Sequence, residues 1–141
     1  MTQEDKEILL KDICARLPYG VMLSITHNEY TGETFNARIS TIDYCNEVKV
    51  RYGFEEYEQA FSLEQIKPYL FPLSSMTEEQ KKELDDMFNQ EDDICEKIKT
   101  DNFEFSFYNK SIFDFLNKYH LDYRGLIPMG LANDATGLNI Y

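Results

Sequence analysis

The sequence predicts an α+β domain: an N-terminal helix, a small antiparallel sheet or SH3-like barrel, then two to three C-terminal helices and an ordered tail. Three observations carry this. Between Val21 and Leu63 apolar and polar residues alternate with the two-residue period of half-buried strands. On either side, Thr2, Thr77 and Ser111 each stand three residues before an Asp or Gln and ahead of apolar residues at helical spacing. A hydrophobic content of 43%, with ten Phe and ten Tyr, supplies a core that a disordered chain lacks. At 141 residues the chain has the length of one domain.

Residues 1–17 read as the first helix. Thr2 and Asp5 form its capping box, Ile8, Leu9 and Ile13 share a face, and Leu17-Pro18-Tyr19-Gly20 ends it. A helix this short needs a surface to dock on. In residues 18–65 the sets Val21/Leu23/Ile25, Phe35/Ala37/Ile39 and Val48/Val50/Tyr52 alternate with polar neighbours, broken at 28–32, at Cys45-Asn46 and at Gly53. A further strand is expected from about Tyr57 to Leu63. Four or five short antiparallel strands at this spacing suit a curled sheet or SH3-like barrel, which hides its edges.

Residues 66–76 form an apolar connector containing Pro68 and Pro72, expected to lie along the sheet. Residues 77–141 make the helical part. Thr77 and Gln80 complete a capping box, with Glu78 and Glu79 at the positive end of the helix dipole. Leu84, Met87 and Phe88 give the apolar stripe, and Ile94, Cys95 and Ile98 continue at helical spacing. Phe103, Phe105 and Phe107 alternate as in a short strand. Ser111 then reads as the cap of a helix that turns Ile112, Phe115, Leu116 and Tyr119 inward. The tail, with Gly125, Pro128, Gly130 and Gly137, reads as an ordered loop with one helical turn.

The net charge of −12 argues against direct binding to nucleic acid or to anionic membrane surfaces, since both require Lys and Arg to replace counterions. No apolar run approaches the roughly 18 residues of a membrane span. Met1-Thr2-Gln3-Glu4-Asp5 lacks the basic start and apolar stretch of a signal peptide, so a cytoplasmic protein is expected. Cys14, Cys45 and Cys95 are odd in number and contain no Cys-x-x-Cys, so reduced, mostly buried thiols are expected rather than disulfides or zinc ligands. No Gly-x-Ser-x-Gly, Walker loop, His-Glu-x-x-His or Gly-x-Gly-x-x-G occurs, and no cofactor or metal is implied.

Two groups of residues stand out as candidate partner-binding surface. Tyr119, His120, Tyr123 and Arg124 cluster in the sequence after the Ser111 helix, and Tyr and Arg are the residues that anchor interfaces. His120 at a helix C-terminus suits a cationic, dipole-compensating imidazole, and His120-Leu121-Asp122 has the makings of an acid–base pair or of half a metal site, with no third ligand at recognisable spacing. His27 is the other histidine, at a strand end. The second group is the acidic stretch from Glu78 to Asp101, with ten Asp/Glu against four Lys, in which Asp85, Asp86, Asp92 and Asp93 are prominent. Its ordinary reading is a solvated helix face with partial pairing such as Glu78 with Lys82; its sharper reading is a row of carboxylates imitating phosphates.

Leu17-Pro18-Tyr19-Gly20-Val21, the run from Ile66 to Gln80, and the run from Phe115 to Tyr141 resemble short proteins of gut Bacteroidales and of their phages and mobile elements. In that group an Ile-Lys-Pro-Tyr-Leu-x-Pro-Leu-Ser-Ser-Met-Thr-Glu-Glu segment precedes a helix, and the end reads like Asp122-Tyr123-Arg124-Gly125-Leu126-Ile127 followed by Gly-Leu-Ala. The resemblance leaves out the sheet region and residues 93–110. It implies a bacterial or phage accessory role and no particular activity. Three function classes follow in order: a non-catalytic protein-binding protein with a partner of basic surface, an acidic mimic inhibiting a nucleic-acid-binding protein, and an enzyme of unrecognised type. An unpaired sheet edge would permit a homodimer.

Overall fold

A computed structural model describes residues 1–28, 32–43, 45–52, 57–88 and 110–141. Along them run α1 (Gln3–Arg16), β1 (Met22–Asn28), β2 (Glu33–Ile42), β3 (Val48–Tyr52), β4 (Tyr57–Phe61), β5 (Ile66–Leu70), α2 (Glu78–Phe88), α3 (Lys110–Lys118) and the two-residue β6 (Asn133–Asp134). The architecture is α+β. Thr2 caps α1 as its sequence predicts: Asp5 N–H donates to Thr2 Oγ1 at 3.1 Å, and Thr2 N–H to Asp5 Oδ2 at 2.9 Å. The chain leaves α1 through a 3-10 turn at Leu17–Tyr19 and reverses at Gly20, whose φ of +65° lies in the left-handed region. The left-handed φ is what favours glycine there; a Cβ would stand 3.1 Å from Cδ of the exposed Arg38 side chain, which would have to shift slightly.

The strands form one mixed sheet in the order β4-β3-β2-β1-β5-β6. β1 to β4 meander, and β5 returns to pair antiparallel with β1, Leu23 facing Pro68 and Ile25 facing Ile66. Val21, Leu23, Ile25, Val48 and Val50 are fully buried, which the two-residue alternation predicts. Among the described residues no ladder joins β4 to β5 or β6, so of the two expected forms, a small sheet or an SH3-like barrel, the sheet is open, and β6 makes it mixed rather than wholly antiparallel.

Residues 66–70, expected as a connector lying along the sheet, are a strand inside it. Pro68 tolerates this because it faces Leu23 in the antiparallel ladder while β6 begins only opposite Tyr69, leaving a flank where no N–H is needed. The tail contributes β6, parallel to β5, which its Gly and Pro content concealed. The expected helical turn is there too, closed by Met129 N–H on the Gly125 carbonyl at 3.3 Å. Helix α3 already includes Lys110, so Ser111 lies inside its first turn rather than at the cap. The helical spacing at Ile94, Cys95 and Ile98 and the Phe103, Phe105 and Phe107 alternation fall outside the described residues.

Two apolar cores result. The larger joins Leu9 and Ile13 of α1 to the sheet and to Leu126, Leu131 and Ala132 of the tail. The smaller gathers Met76, Leu84, Ile112, Phe115, Leu116 and Leu121 between α2, α3 and the segment after α3. Each fully buried Leu or Ile in either contributes about 1.5–3 kcal/mol.

Candidate functional site

Between the two cores lies a polar seam that begins on α1. The buried stripe of that helix is Leu9, Asp12, Ile13 and Arg16, at helical spacing but half of it charged. Asp12 and Arg16 are both fully buried. Arg16 Nε donates to Asp12 Oδ2 at 2.7 Å and Nη2 to Oδ1 at 3.0 Å, a bidentate pair. Nη2 also donates to the Leu121 carbonyl at 2.8 Å, and Nη1 to that of Leu116 at 3.5 Å. These carbonyls lie at and just beyond the C-terminal end of α3, where backbone acceptors lack helical partners. Arg16 therefore does two jobs, neutralising Asp12 and capping α3. Burying either charge alone would cost several kcal/mol; the pair with its extra hydrogen bonds removes most of that cost.

The end of α3 is shaped to receive it. His120 has φ +54°, its N–H donates to the Asn117 carbonyl at 3.1 Å, and Leu121 N–H donates to the Leu116 carbonyl at 2.9 Å. This is a Schellman motif with histidine in the place that usually takes glycine, and buried Leu116 and Leu121 supply its apolar contact. Tyr123 follows, its ring 5.3 Å from the Arg16 guanidinium and 4.9 Å from that of Arg124, its hydroxyl donating to Asn117 Oδ1 at 3.0 Å. Arg124 Nε stands 3.3 Å from Asp12 Oδ1, an ion pair not aligned as a hydrogen bond. Asp122 is buried and turns its carboxylate to the amides of Leu126 and Ile127, both at 2.8 Å. Burial raises its pKa, and those two amides oppose the rise.

His120 itself is only 7% exposed and lies flat on the Tyr141 ring, centroids 3.9 Å apart and planes 12° from parallel. Burial, with the nearby charges of Arg16 and then Arg38, lowers its pKa to about 4. It is neutral at neutral pH, so the cationic, dipole-compensating role expected of it does not hold; Arg16 serves the helix end instead. With Asp122 committed to two amides, His120-Leu121-Asp122 does not make an acid–base relay. His120, Tyr123 and Arg124 thus lie along one seam, His120 buried and Tyr123 and Arg124 half-buried.

Tyr119 joins the other candidate group. Its hydroxyl donates to Glu83 Oε2 of α2 at 2.7 Å, and Lys118 Nζ lies 4.7 Å over its ring and 3.7 Å from Glu83. Together with fully buried Leu84 this fixes α2 on α3. The Thr77–Gln80 capping box forms in both directions, at 3.0 and 3.1 Å. Glu78 pairs with Lys81, at 2.7 Å. Asp85 is half-buried, and Asp86 is exposed beside Glu79, Lys82 and Met87 around a shallow depression. Among the described residues the carboxylates therefore divide between inward and outward faces. Asp92 and Asp93 fall outside those residues.

His27 is exposed at the end of β1, edge-on to Phe35 and Phe61 at 6.2 and 6.4 Å. Cys14 and Cys45 are exposed, against the expectation of buried thiols, and partial burial still pushes the Cys14 thiol up. Cys95 falls outside the described residues. The Asp12–Arg16 pair was missed from sequence; its signal is opposite charges four apart on the same face as Leu9 and Ile13. Among the described residues no three His, Cys, Asp or Glu are placed to hold a metal ion, and no helix is long and apolar enough to cross a membrane. No protein-family model, curated protein or solved structure matches the chain.

Proposed function

We propose that this chain is a non-catalytic binding protein, a cytoplasmic accessory protein of bacterial or phage origin that acts by contact with a protein partner of basic surface. The observation that carries the reading is the outward side of α2. Leu84 and Glu83 anchor the helix to α3, which leaves Glu79, Asp86 and the 40%-exposed Met87 on a fixed surface. An apolar residue set among Glu79, Glu83 and Asp86, with Lys82 beside them, matches an apolar spot rimmed mainly by Lys or Arg, and methionine adapts its shape to such contacts. The net charge of −12 steers a basic partner toward this face.

The β-rich part supports a binding role as well. The order β5-β1-β2-β3-β4, with a 3-10 turn at Leu63–Gln65 leading from β4 into β5, is similar to that of SH3-like barrels, although the sheet here is open among the described residues. Barrels with that strand order commonly bind peptides, and the sheet supports a binding role to that extent only.

The test is a pull-down from nuclease-treated bacterial lysate with tagged protein, washed at rising salt. A partner captured by the wild type should be lost or reduced at least about tenfold by Glu79→Lys with Asp86→Lys, because rim charges set encounter and screening. Met87→Ser should weaken what remains at high salt. Capture unchanged in all variants would overturn the assignment of this face.

A further inference from the structure

The antiparallel ladder between β1 and β5 pairs Ile25 with Ile66, Ser24 with Lys67 and Leu23 with Pro68. Continued by one residue it sets Met22 against Tyr69, where the Met22 N–H would donate directly to the Tyr69 carbonyl. Instead the Tyr141 hydroxyl stands between them. It accepts from Met22 N–H at 3.2 Å and donates to the Tyr69 carbonyl at 2.6 Å. A hydroxyl is the one side-chain group that answers a lone N–H and a lone C=O with a single atom.

The walls of this slot belong to the body of the protein. His120 supplies the stacking face, and Phe71 stands 5.8 Å from the phenol ring. Both are fixed by backbone, since Phe71 N–H donates to the His120 carbonyl at 2.9 Å and Asp122 N–H to the Phe71 carbonyl at 2.8 Å. The neutral imidazole offers a flat, uncharged surface. Burial pushes the Tyr141 hydroxyl up to about 12, so it keeps the proton it donates.

The segment that delivers the phenol is held more lightly. Residues 136–139 are exposed, Leu138 to 51%, and Gly137 and Asn139 have φ of +74° and +51°. Its backbone bonds are local: Thr136 N–H to Asp134 Oδ1 at 2.8 Å and Leu138 N–H to the Ala135 carbonyl at 3.1 Å. Tyr141 itself remains 41% exposed, so the slot is open to solvent. Exposed segments with few buried contacts open at low free-energy cost.

We infer that the gap between β1 and β5 is a binding site for a planar phenol, the side chain of a tyrosine, built from Met22 N–H, the Tyr69 carbonyl, His120 and Phe71, and that Tyr141 fills it as a tethered latch. Tethering gives the resident phenol an effective concentration in the millimolar range, so free phenols compete poorly while it is present. The inference does not depend on the α2 face or on its partner.

The experiment uses the full chain carrying Tyr141→Ala, titrated with p-cresol and with toluene by calorimetry and by thermal unfolding. Saturable p-cresol binding that raises Tm, at least about tenfold tighter than toluene, is expected, because an apolar analogue leaves the half-buried Met22 N–H and Tyr69 C=O unmet. Wild type should bind neither at the same concentrations. Equal affinity for the two compounds, no saturable binding, or equal binding by wild type would overturn the site. Should Tyr141→Ala not fold, Tyr141→Phe retains the ring. Amide exchange at Met22 should then rise at least about tenfold with Ser24 unchanged, and an unchanged Met22 rate would overturn the hydroxyl bridge.

Discussion

The larger core and the seam beside it are stabilised in opposite ways. In the sheet, Val21, Leu23, Ile25, Val48 and Val50 pack apolar surface against apolar surface, and each residue contributes by its own area. In the seam, Asp12, Arg16, the Leu116 and Leu121 carbonyls, Tyr123 and Arg124 are each tolerable only because the others are present. The sheet degrades gradually under substitution; the seam should fail at once. It also carries the long-range connection, since Arg16 reaches from α1 to carbonyls 100 and 105 residues away in the chain.

The sharpest way to break this contrast is Arg16→Met. It leaves the Asp12 carboxylate buried without its bidentate partner and uncaps α3, and should cost about 3–5 kcal/mol in denaturant unfolding. A loss below about 1 kcal/mol would mean that Asp12 finds water or neutralises without harm.

The next effect is in pH. His120 has a folded pKa of about 4 against 6.5 for the unfolded chain. Between those values the unfolded state binds a proton that the folded state refuses, so this contribution is complete above pH 6.5 and is lost as pH falls to 4. Asp122, raised by burial, has the opposite slope: its folded state holds a proton longer, and stability falls as pH rises through its titration. Comparing wild type with His120→Asn, which tolerates the left-handed backbone, isolates the histidine. Wild type should lose about 2–3 kcal/mol more than the variant between pH 6.5 and 4. Parallel pH profiles would show that His120 is not held neutral.

The smallest effect belongs to the sheet. Ile25→Val removes one methylene from a fully buried position and should cost about 1 kcal/mol with no pH dependence. A cost comparable to Arg16→Met would erase the distinction between the two regions.

The same contrast explains what the sequence revealed. Apolar periodicity located α1, β1 to β4, α2 and α3, and the Thr2 and Thr77 capping boxes were readable because local hydrogen bonds make them. β5 was hidden by Pro68, whose penalty vanishes only because of which strands flank it. β6 was hidden because its partner strand is distant in sequence, and the closing of α3 because histidine stands at the left-handed position where glycine usually marks the stop. Tyr119 belongs to the contact with α2, while His120, Tyr123 and Arg124 were recognisable as a cluster. Their place along the seam was not, because it depends on Asp12 and Arg16 more than 100 residues earlier, in a helix whose apolar signal is diluted by those same charges.

The most direct test is a double-mutant cycle on Asp12 and Arg16, with Asp12→Leu, Arg16→Met and the two combined, each followed by denaturant unfolding. The interdependence of the seam predicts that each single change costs about 3–5 kcal/mol while the double variant, free of any buried charge, costs much less than their sum. Additive losses would contradict it, and would place these two residues among the ordinary contributors to the core.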